Sequence, residues 1–380
     1  MKKLCYVATI PAVVHAFLRV HIQVAAKDYE ITVVCNASDK NLLANINARF
    51  IYLDIERKPS LFKDLLVLYR LLVLFRHEKF DIVHSIMPKT GLLAMLAAWL
   101  AGVPVRLHTF TGQVWVTMRG ARRILYKWLD KCIVSMSSAV LADSPSQRDF
   151  LLSENVVAQE KIFVIGSGSI CGVDTLRFHP DADERRLVRQ ELGIKQEASL
   201  ILYVGRLSRD KGVLDLATAF GLLAQKIPGV QLLLLGAEED VLFSHIQGVC
   251  GDLRDSVHYH AFSSRPERYM AAADIFCLPS YREGFGLSII EAAACKIPAV
   301  ATRIYGITDA VEDGITGLLF MPGNVQALVQ ALLTLSTETH MRQEMGNAAY
   351  MRAIAMFDSN KISSELLKLY AFQVLKFQGG

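Results

Sequence analysis

The sequence predicts an α/β protein made of two parallel sheets in tandem. Two observations carry that prediction. Short apolar runs alternate with stretches of helical character along all 380 residues, and the series breaks once, near residue 199, and restarts. Strands are expected at 4–9, 31–35, 50–53, 82–85, 105–108, 140–142 and 162–165. The second series is expected at 200–204, 231–235, 257–260, 275–278, 299–301 and 317–320. Helical connections between such runs are the pattern of βαβ units, so each series reads as a Rossmann-like domain. The break at 181–197 is polar and charged and reads as a helix with flanking loops. Domains of 1–170 and 171–357 follow, each large enough for its own core. An amphipathic helix at about 358–380 lies outside the second series.

Bulk composition narrows the class. Hydrophobic residues make up 52% of the chain and mean hydropathy is +0.30, yet no run reaches the length of a membrane span. The nearest, 91–105, contains Pro104 and reads as a buried helix leading into a strand. The opening MKKLCYVATIPAVVHA has features of a signal peptide, but the sheet-like segments directly after it favour a first strand. Seven cysteines show no C-x-x-C pair or regular spacing and read as reduced residues of a cytosolic protein. No His/Cys cluster has metal-ligand spacing, and the single D-x-D, Asp181 to Asp183, falls in the polar break and reads as solvated charge.

Charge is divided unevenly. Residues 1–170 carry +8 and residues 171–380 carry −4. A basic, apolar first half suits an anionic surface or an anionic, greasy substrate, and no nucleic-acid partner is expected. In 60–79, Lys63, Arg70, Arg76 and Lys79 interleave with leucines and aromatics, which reads as an amphipathic helix covering a sheet. In 115–131, Arg119, Arg122, Arg123, Lys127 and Lys131 sit beside Trp115, Tyr126 and Trp128. That stretch reads equally as cover or as a helix at an anionic membrane surface.

The densest chemistry lies at 281–299. Glu283 and Glu291 stand eight apart around Gly284-Phe285-Gly286, and the apolar stretch from Leu287 to Lys296 reads as a short helix ended before Pro298. The glycines leave backbone N–H groups of a helix start open to an anion such as a diphosphate. A carboxylate beside such a site would repel phosphate, so the plausible partners of Glu283 and Glu291 are hydroxyls of a ribose or sugar. The second signal is Tyr203-Val204-Gly205-Arg206-Leu207-Ser208-Arg209-Asp210-Lys211-Gly212. Here a strand ends at Gly205 and a loop presents Arg206 and Lys211 before a helix. Two fixed cations at that place suit a diphosphate.

Together these stretches resemble the E-x7-E element and the G-R-L-x-x-x-K-G phosphate loop of retaining glycosyltransferases of family 4. The resemblance extends to Leu233–Gly236, to His260-Ala261-Phe262 as the loop that receives the base, to 272–280, to D-G-x-T-G-x-L at 313–319, and to Gly172-Val173-Asp174 with Phe178. Cys171 stands where asparagine is commonest. About 180 residues are covered well, and the first 160 in pattern only. After the first strand the family's glycine-rich loop is replaced by Ile10-Pro11-Ala12-Val13-Val14-His15-Ala16-Phe17. The usual histidine–glycine appears as His108 with Thr111-Gly112, either of which is a candidate for the donor-sugar or acceptor side, with a core histidine the alternative for His108.

The resemblance implies a GT-B architecture, two Rossmann-like domains facing each other across a cleft. It implies a metal-independent retaining transferase, for which a nucleotide-sugar, most plausibly UDP-linked, is a substrate and no cofactor is needed. Arg206 and Lys211 with Glu283 would be catalytic, and Glu291, Gly284, Phe285, Gly286, Leu287, His260, Ala261 and Gly205 would bind the donor. The texture of the first half suggests a lipid-linked saccharide acceptor in surface-polysaccharide assembly and a peripheral place on the inner face of the cytoplasmic membrane. A glycosidase, a GT-B sugar-nucleotide 2-epimerase and a non-catalytic nucleotide-sugar binding module are the alternatives.

Overall fold

The computed structural model describes residues 1–56 and 60–378. They form two compact units: residues 1–172 with the last helix, and residues 173–358. Each unit holds one sheet in which every strand pairing is parallel.

The first sheet has seven strands: β1 (Lys2–Val7), β2 (Tyr29–Cys35), β3 (Arg49–Tyr52), β4 (Ile82–Ile86), β5 (Val105–Phe110), β6 (Ala139–Ala142) and β7 (Ile162–Val164), in the order β3-β2-β1-β4-β5-β6-β7. The candidate opening strand is thus a central one. β1 from Leu4 to Val7 and β4 along its whole length are buried because helices cover both faces, and the polar His84 and Ser85 of β4 are paired with Tyr370 and His108. One face carries α1 (Pro11–Val13), a π turn over Val14–Leu18 and α2 (Arg19–Ala25). The other carries α3 (Leu61–Glu78), α4 (Pro88–Leu100) and α5 (Gly120–Met136), with α4 packed against both neighbours. α6 (Pro145–Ser153) follows β6, capped by the Ser144 side chain accepting from the Gln147 N–H.

The second sheet has six strands: β8 (Leu200–Val204), β9 (Gln231–Leu235), β10 (Val257–His260), β11 (Ile275–Leu278), β12 (Ala299–Thr302) and β13 (Gly317–Phe320), ordered β10-β9-β8-β11-β12-β13. Its helices are α7 (Ala182–Glu191), α8 (Val213–Ala224), α9 (Phe243–Cys250), α10 (Pro266–Ala272), α11 (Leu287–Ala294), α12 (Ile307–Ala310), α13 (Val325–Thr337) and α14 (Thr339–Phe357). Asp181 of the D-x-D string is the N-cap of α7, accepting from the Asp183 and Glu184 N–H groups at 3.0 and 2.9 Å.

The last helix, α15 (Ser359–Gln378), packs on α2 in the first unit. Buried polar contacts fix it there. Tyr370 lies 2.6 Å from His84 Nδ1 and donates to the Tyr6 hydroxyl at 3.1 Å, while Ser363 meets His21 Nδ1 at 2.8 Å. Burial lowers His84 to about 3 and His21 to about 4, so these rings stay neutral in ordinary buffers.

Two expectations about the first unit are corrected. Trp115 is not an interfacial anchor: a 3-10 turn over Val114–Thr117 folds its ring fully into the core, where Nε1 donates to Asp130 at 2.7 Å. The helix begins only at Gly120. Two of the five basic residues, Arg123 and Lys127, are also engaged, both by Glu154 at 2.8 and 2.7 Å. α3, conversely, does more than cover the sheet. It buries Val67, Leu71 and Phe75 on a four-residue spacing and exposes Leu61, Phe62, Leu65, Leu66, Tyr69 and Val73 on its other faces.

Candidate active site

In an open parallel sheet the ligand crevice lies outside the carboxyl ends of the strands, where the order reverses. In the second unit that point is between β8 and β11, and the two motifs follow these two strands. Sheet topology thus joins loops some 70 residues apart in the chain.

The loop after β8 depends on glycine. Gly212 has φ +68°, and a Cβ there would lie 2.0 Å from the Pro279 carbonyl oxygen beyond β11. Gly236, beyond β9, would place a Cβ 1.9 Å from the Gly205 carbonyl oxygen. Backbones of three strand ends therefore touch, which any side chain would prevent. The contact is reinforced by the Tyr281 N–H donating to the Asp210 carbonyl at 2.8 Å.

Lys211 and Glu283 meet in this geometry. Lys211 Nζ lies 2.6 Å from Glu283 Oε1, and the same oxygen accepts from the Ser280 hydroxyl at 2.8 Å. Both side chains are largely shielded, 17% and 13% exposed, so the pair is stronger than a surface ion pair. Arg206 is bonded to Glu239 and lies 3.8 Å from Asp210. Asp210 is also held by Arg282 at 2.7 Å. Burial alone would raise the Asp210 carboxyl, but the Ser208 hydroxyl and Arg282 outweigh it and keep it below the usual carboxylate range. Cations and carboxylates thus alternate around the mouth of the site.

The turn after β11 leads into α11, whose N-cap is Gly286 at φ +87°. No side chain caps this end, which follows β11 as the Lys211 loop follows the neighbouring β8. Gly284 is packed so closely that a Cβ on Gly306 would fall 2.5 Å from its carbonyl oxygen. Phe285 does not serve as a donor contact through its ring. The ring is buried and stacks edge-on against Phe357 at 5.1 Å, anchoring the turn from below.

Glu291 lies one turn further along α11 and is half-buried. Burial pushes its carboxyl up to about 7, against the attraction of Arg177 and with the repulsion of Glu267. His260 ends β10, its carbonyl accepting from the Gly236 N–H at 2.9 Å and its ring 5.0 Å from Tyr269. Ala261 is exposed in the loop that follows, and Leu287 is half-buried at the start of α11.

The first-unit candidates fare differently. His108 is fully buried, its Nδ1 2.9 Å from the Ser85 hydroxyl and its ring filling the space a Cβ on Gly91 would occupy. Burial lowers it to about 3. It is a core histidine, and the donor-side alternative for it is withdrawn. Thr111 is half-buried with its hydroxyl 3.6 Å from Met87 Sδ, and Gly112 has φ +100° at the carboxyl end of β5.

Sequence reasoning missed the partners that preset this site. Asp210 and Arg282 were both within the motifs, but only the β8–β11 adjacency reveals that they pair. Glu239, Ser280, Arg177 and Glu267 gave no signal in isolation.

The chain matches two family models, "Glycosyl transferase 4-like domain" over residues 16–168 and "Glycosyl transferases group 1" over 184–352. It is 29% identical to a capsular polysaccharide biosynthesis glycosyltransferase, CapM, of Staphylococcus aureus, over 83% of each chain. It is 30% identical to D-inositol 3-phosphate glycosyltransferase of Arthrobacter sp. (strain FB24), over 73% of this chain and 67% of that one. A UDP-Gal:alpha-D-GlcNAc-diphosphoundecaprenol alpha-1,3-galactosyltransferase of Escherichia coli is 28% identical over 82% of this chain and 81% of its own. Among solved structures, sucrose-phosphate synthase from Thermosynechococcus elongatus superposes with a TM-score of 0.81 at 22% identity over 98% of each chain. Anabaena Alr3699/HepE in complex with UDP and glucose gives 0.81 at 21% identity, over 98% of this chain and 100% of that one. At those identities the structural likeness speaks to fold.

Proposed function

The chain belongs to the glycosyltransferases of family 4, enzymes of the GT-B fold, and on that footing we propose that it moves a sugar, with retained anomeric configuration, from a UDP-sugar to a lipid-linked saccharide in bacterial surface-polysaccharide assembly. One observation carries the reading: a shielded lysine and a shielded glutamate joined at 2.6 Å, at the switch point of a parallel sheet and beside an uncapped helix start.

In the proposed reaction the bond between the sugar's anomeric carbon and the diphosphate oxygen breaks, and a bond to an acceptor hydroxyl oxygen forms. The acceptor proton leaves with the diphosphate. Negative charge grows on the departing diphosphate, where Lys211, Arg206 and the first N–H groups of α11 are placed to offset it. Before donor arrives, Glu283 and Glu239 occupy these two cations. The diphosphate takes over that role, which frees Glu283 to accept from sugar hydroxyls and to face the positive charge that develops on the ring. Glu291 accepts from the ribose hydroxyls. Since the diphosphate is met by side-chain cations and amides, no metal is required.

A UDP-linked donor and a lipid-linked acceptor draw support from the E. coli relative, whose name gives UDP-Gal and a diphosphoundecaprenol acceptor, and the polysaccharide role from the S. aureus one. The surface of the first unit favours a membrane-proximal acceptor. Leu61, Phe62, Leu65 and Tyr69 of α3, Trp99 and Leu100 of α4, and Ile124, Leu125 and Trp128 of α5 are all exposed on helices packed side by side. Exposed Lys63, Arg70, Arg122 and Lys131 accompany them. An apolar face of this extent with a basic fringe suits the interface of an anionic bilayer. No helix among the described residues is long and apolar enough to cross a membrane, so the proposed attachment is peripheral. A glycosidase would leave the cationic loop without a task. A thermal-shift panel of UDP-, GDP- and ADP-sugars tests the donor: a rise with UDP-sugars is expected, and a rise with the GDP or ADP series alone would displace the UDP assignment.

A further inference from the structure

We infer that Arg177 is a positioning residue of the donor site, tying the loop that follows β10 and the Glu267 carboxylate of α10 to one guanidinium beside α11. The inference rests on the proposed donor-binding role of α11. Arg177 stands on the irregular segment ahead of α7, its guanidinium 5.1 Å from the ring of its neighbour Phe178. From there it reaches two other elements. Nε and Nη2 grip one oxygen of Glu267, in the first turn of α10, at 2.9 and 2.8 Å. Nη2 also donates to the Ser264 carbonyl at 2.7 Å.

Ser264 belongs to the loop 261–265 between β10 and α10, which starts at the position proposed to receive the base. One side chain from 87 residues earlier thus pins that loop. The fork of a guanidinium makes this three-contact arrangement, and an ammonium does not reproduce it.

The same two groups act on Glu291, whose carboxyl is raised first of all by burial. α10 packs against α11, and the charges acting on the Glu291 carboxyl are Arg177, which favours the carboxylate, and Glu267, which opposes it. On α11 itself Cys295 lies one turn on, its thiol held neutral by burial. α14, along another side of α11, carries Arg352, which is turned to the carbonyls of Asp309 and Ala310 by α12. Arg177 shares the neutralisation of Glu267 with Arg265, whose Nε lies 3.6 Å from the other carboxylate oxygen, and Arg177 is the cation that acts on Glu291. Ribose hydroxyls donate to a carboxylate but compete poorly for a protonated acid. Donor binding should therefore strengthen as pH rises through the Glu291 titration and level off above it.

The test is calorimetric titration of the full chain with UDP-glucose, whose diphosphate diester keeps a constant charge across the range, from pH 5.5 to 8.5. Wild-type affinity is expected to rise with a midpoint near 7, and Glu291→Gln to abolish that midpoint. Arg177→Ala should shift it upward by about one pH unit and weaken binding at pH 7 by about tenfold. Arg177→Lys should restore the midpoint while leaving affinity reduced, because the charge returns and the loop contacts do not. Glu267→Gln should shift the midpoint downward. An Arg177→Ala midpoint equal to wild type overturns the inference. If that variant does not fold, an unmoved or upward midpoint in Glu267→Gln overturns it instead. Wild-type binding with no midpoint between pH 6 and 8 also overturns it but leaves the donor site standing. Absence of binding at every pH refutes the donor reading itself, and the inference with it.

Discussion

Removing the Lys211 ammonium should damage donor binding by more than the loss of one contact. That ammonium is 2.6 Å from Glu283 Oε1, and the same carboxylate oxygen also accepts from the Ser280 hydroxyl at 2.8 Å. Lys211→Ala deletes a charge-assisted bond to the diphosphate worth about 1.5–3 kcal/mol, on the order of 10- to 150-fold. It also leaves the Glu283 carboxylate unneutralised beside the incoming anion. At roughly 5 Å and an effective dielectric constant of about 20 that repulsion is on the order of 3 kcal/mol. Together they predict a fall in kcat/KM of two to three orders of magnitude, by about the sum less solvent relaxation. The two terms separate in a double-mutant cycle. Glu283→Gln removes the repulsion, so Lys211→Ala/Glu283→Gln should bind UDP about tenfold tighter than Lys211→Ala alone, although turnover stays low. Calorimetric titration with UDP reads binding, a UDP-release assay reads turnover, and far-UV circular dichroism confirms folding. UDP affinity of folded Lys211→Ala within threefold of wild type would refute the reasoning. So would a double variant that binds more weakly than the single.

Three further outcomes follow from the geometry. Gly212→Ala places a methyl 2.0 Å from the Pro279 carbonyl oxygen at φ +68°, so UDP affinity should drop by at least tenfold and stability by about 1–3 kcal/mol; an unchanged thermal midpoint and UDP affinity would show that the loop yields freely. Burial raises the Asp130 carboxyl to about 7, so its contribution to stability is complete below the ordinary carboxyl range and is lost as pH rises through 7. Asp130→Asn should therefore melt higher than wild type at pH 8, by an amount that shrinks towards pH 5, and an equal pH slope in both proteins would contradict this. Vesicles rich in phosphatidylglycerol should float the wild-type chain at low salt and release much of it at high salt. Phe62→Ser with Trp128→Ser should lose flotation and keep UDP affinity, and wild type that ignores such vesicles would point to a soluble acceptor.

The strands were legible because parallel strands covered on both faces are mostly apolar, and each of the thirteen candidate runs overlaps a strand. Glycines at Gly205, Gly212 and Gly286 marked the loops, and each has a steric reason: a Cβ on Gly212 would meet the Pro279 backbone, one on Gly205 the Tyr203 hydroxyl, and Gly286 holds a φ of +87° against the Ile289 side chain. What stayed hidden was direction. Trp115 among five basic residues looks the same whether it faces lipid or core, and the deciding partner, Asp130, lies on a helix that a 3-10 turn swings over it. Phe285 sits between two functional glycines yet points into the core against Phe357, a contact 72 residues away in sequence. Nothing in the sequence around His108 shows that Gly91, on the helix before its strand, leaves room for its ring in the core. The π turn has no signature in Val14–Leu18 that separates it from an ordinary helix.

The central claim is a retaining, metal-free transfer from a UDP-sugar to a lipid-linked acceptor. Its most direct test incubates the chain, in excess EDTA, with radiolabelled UDP-sugars and a diphosphoundecaprenol-linked monosaccharide, and follows both label and UDP. Label is expected to enter the lipid fraction in an α linkage, with one UDP released per sugar moved and no release when acceptor is omitted. Label that stays nucleotide-bound or returns as an epimeric UDP-sugar without acceptor would contradict it, as would transfer that appears only after manganese or magnesium is restored.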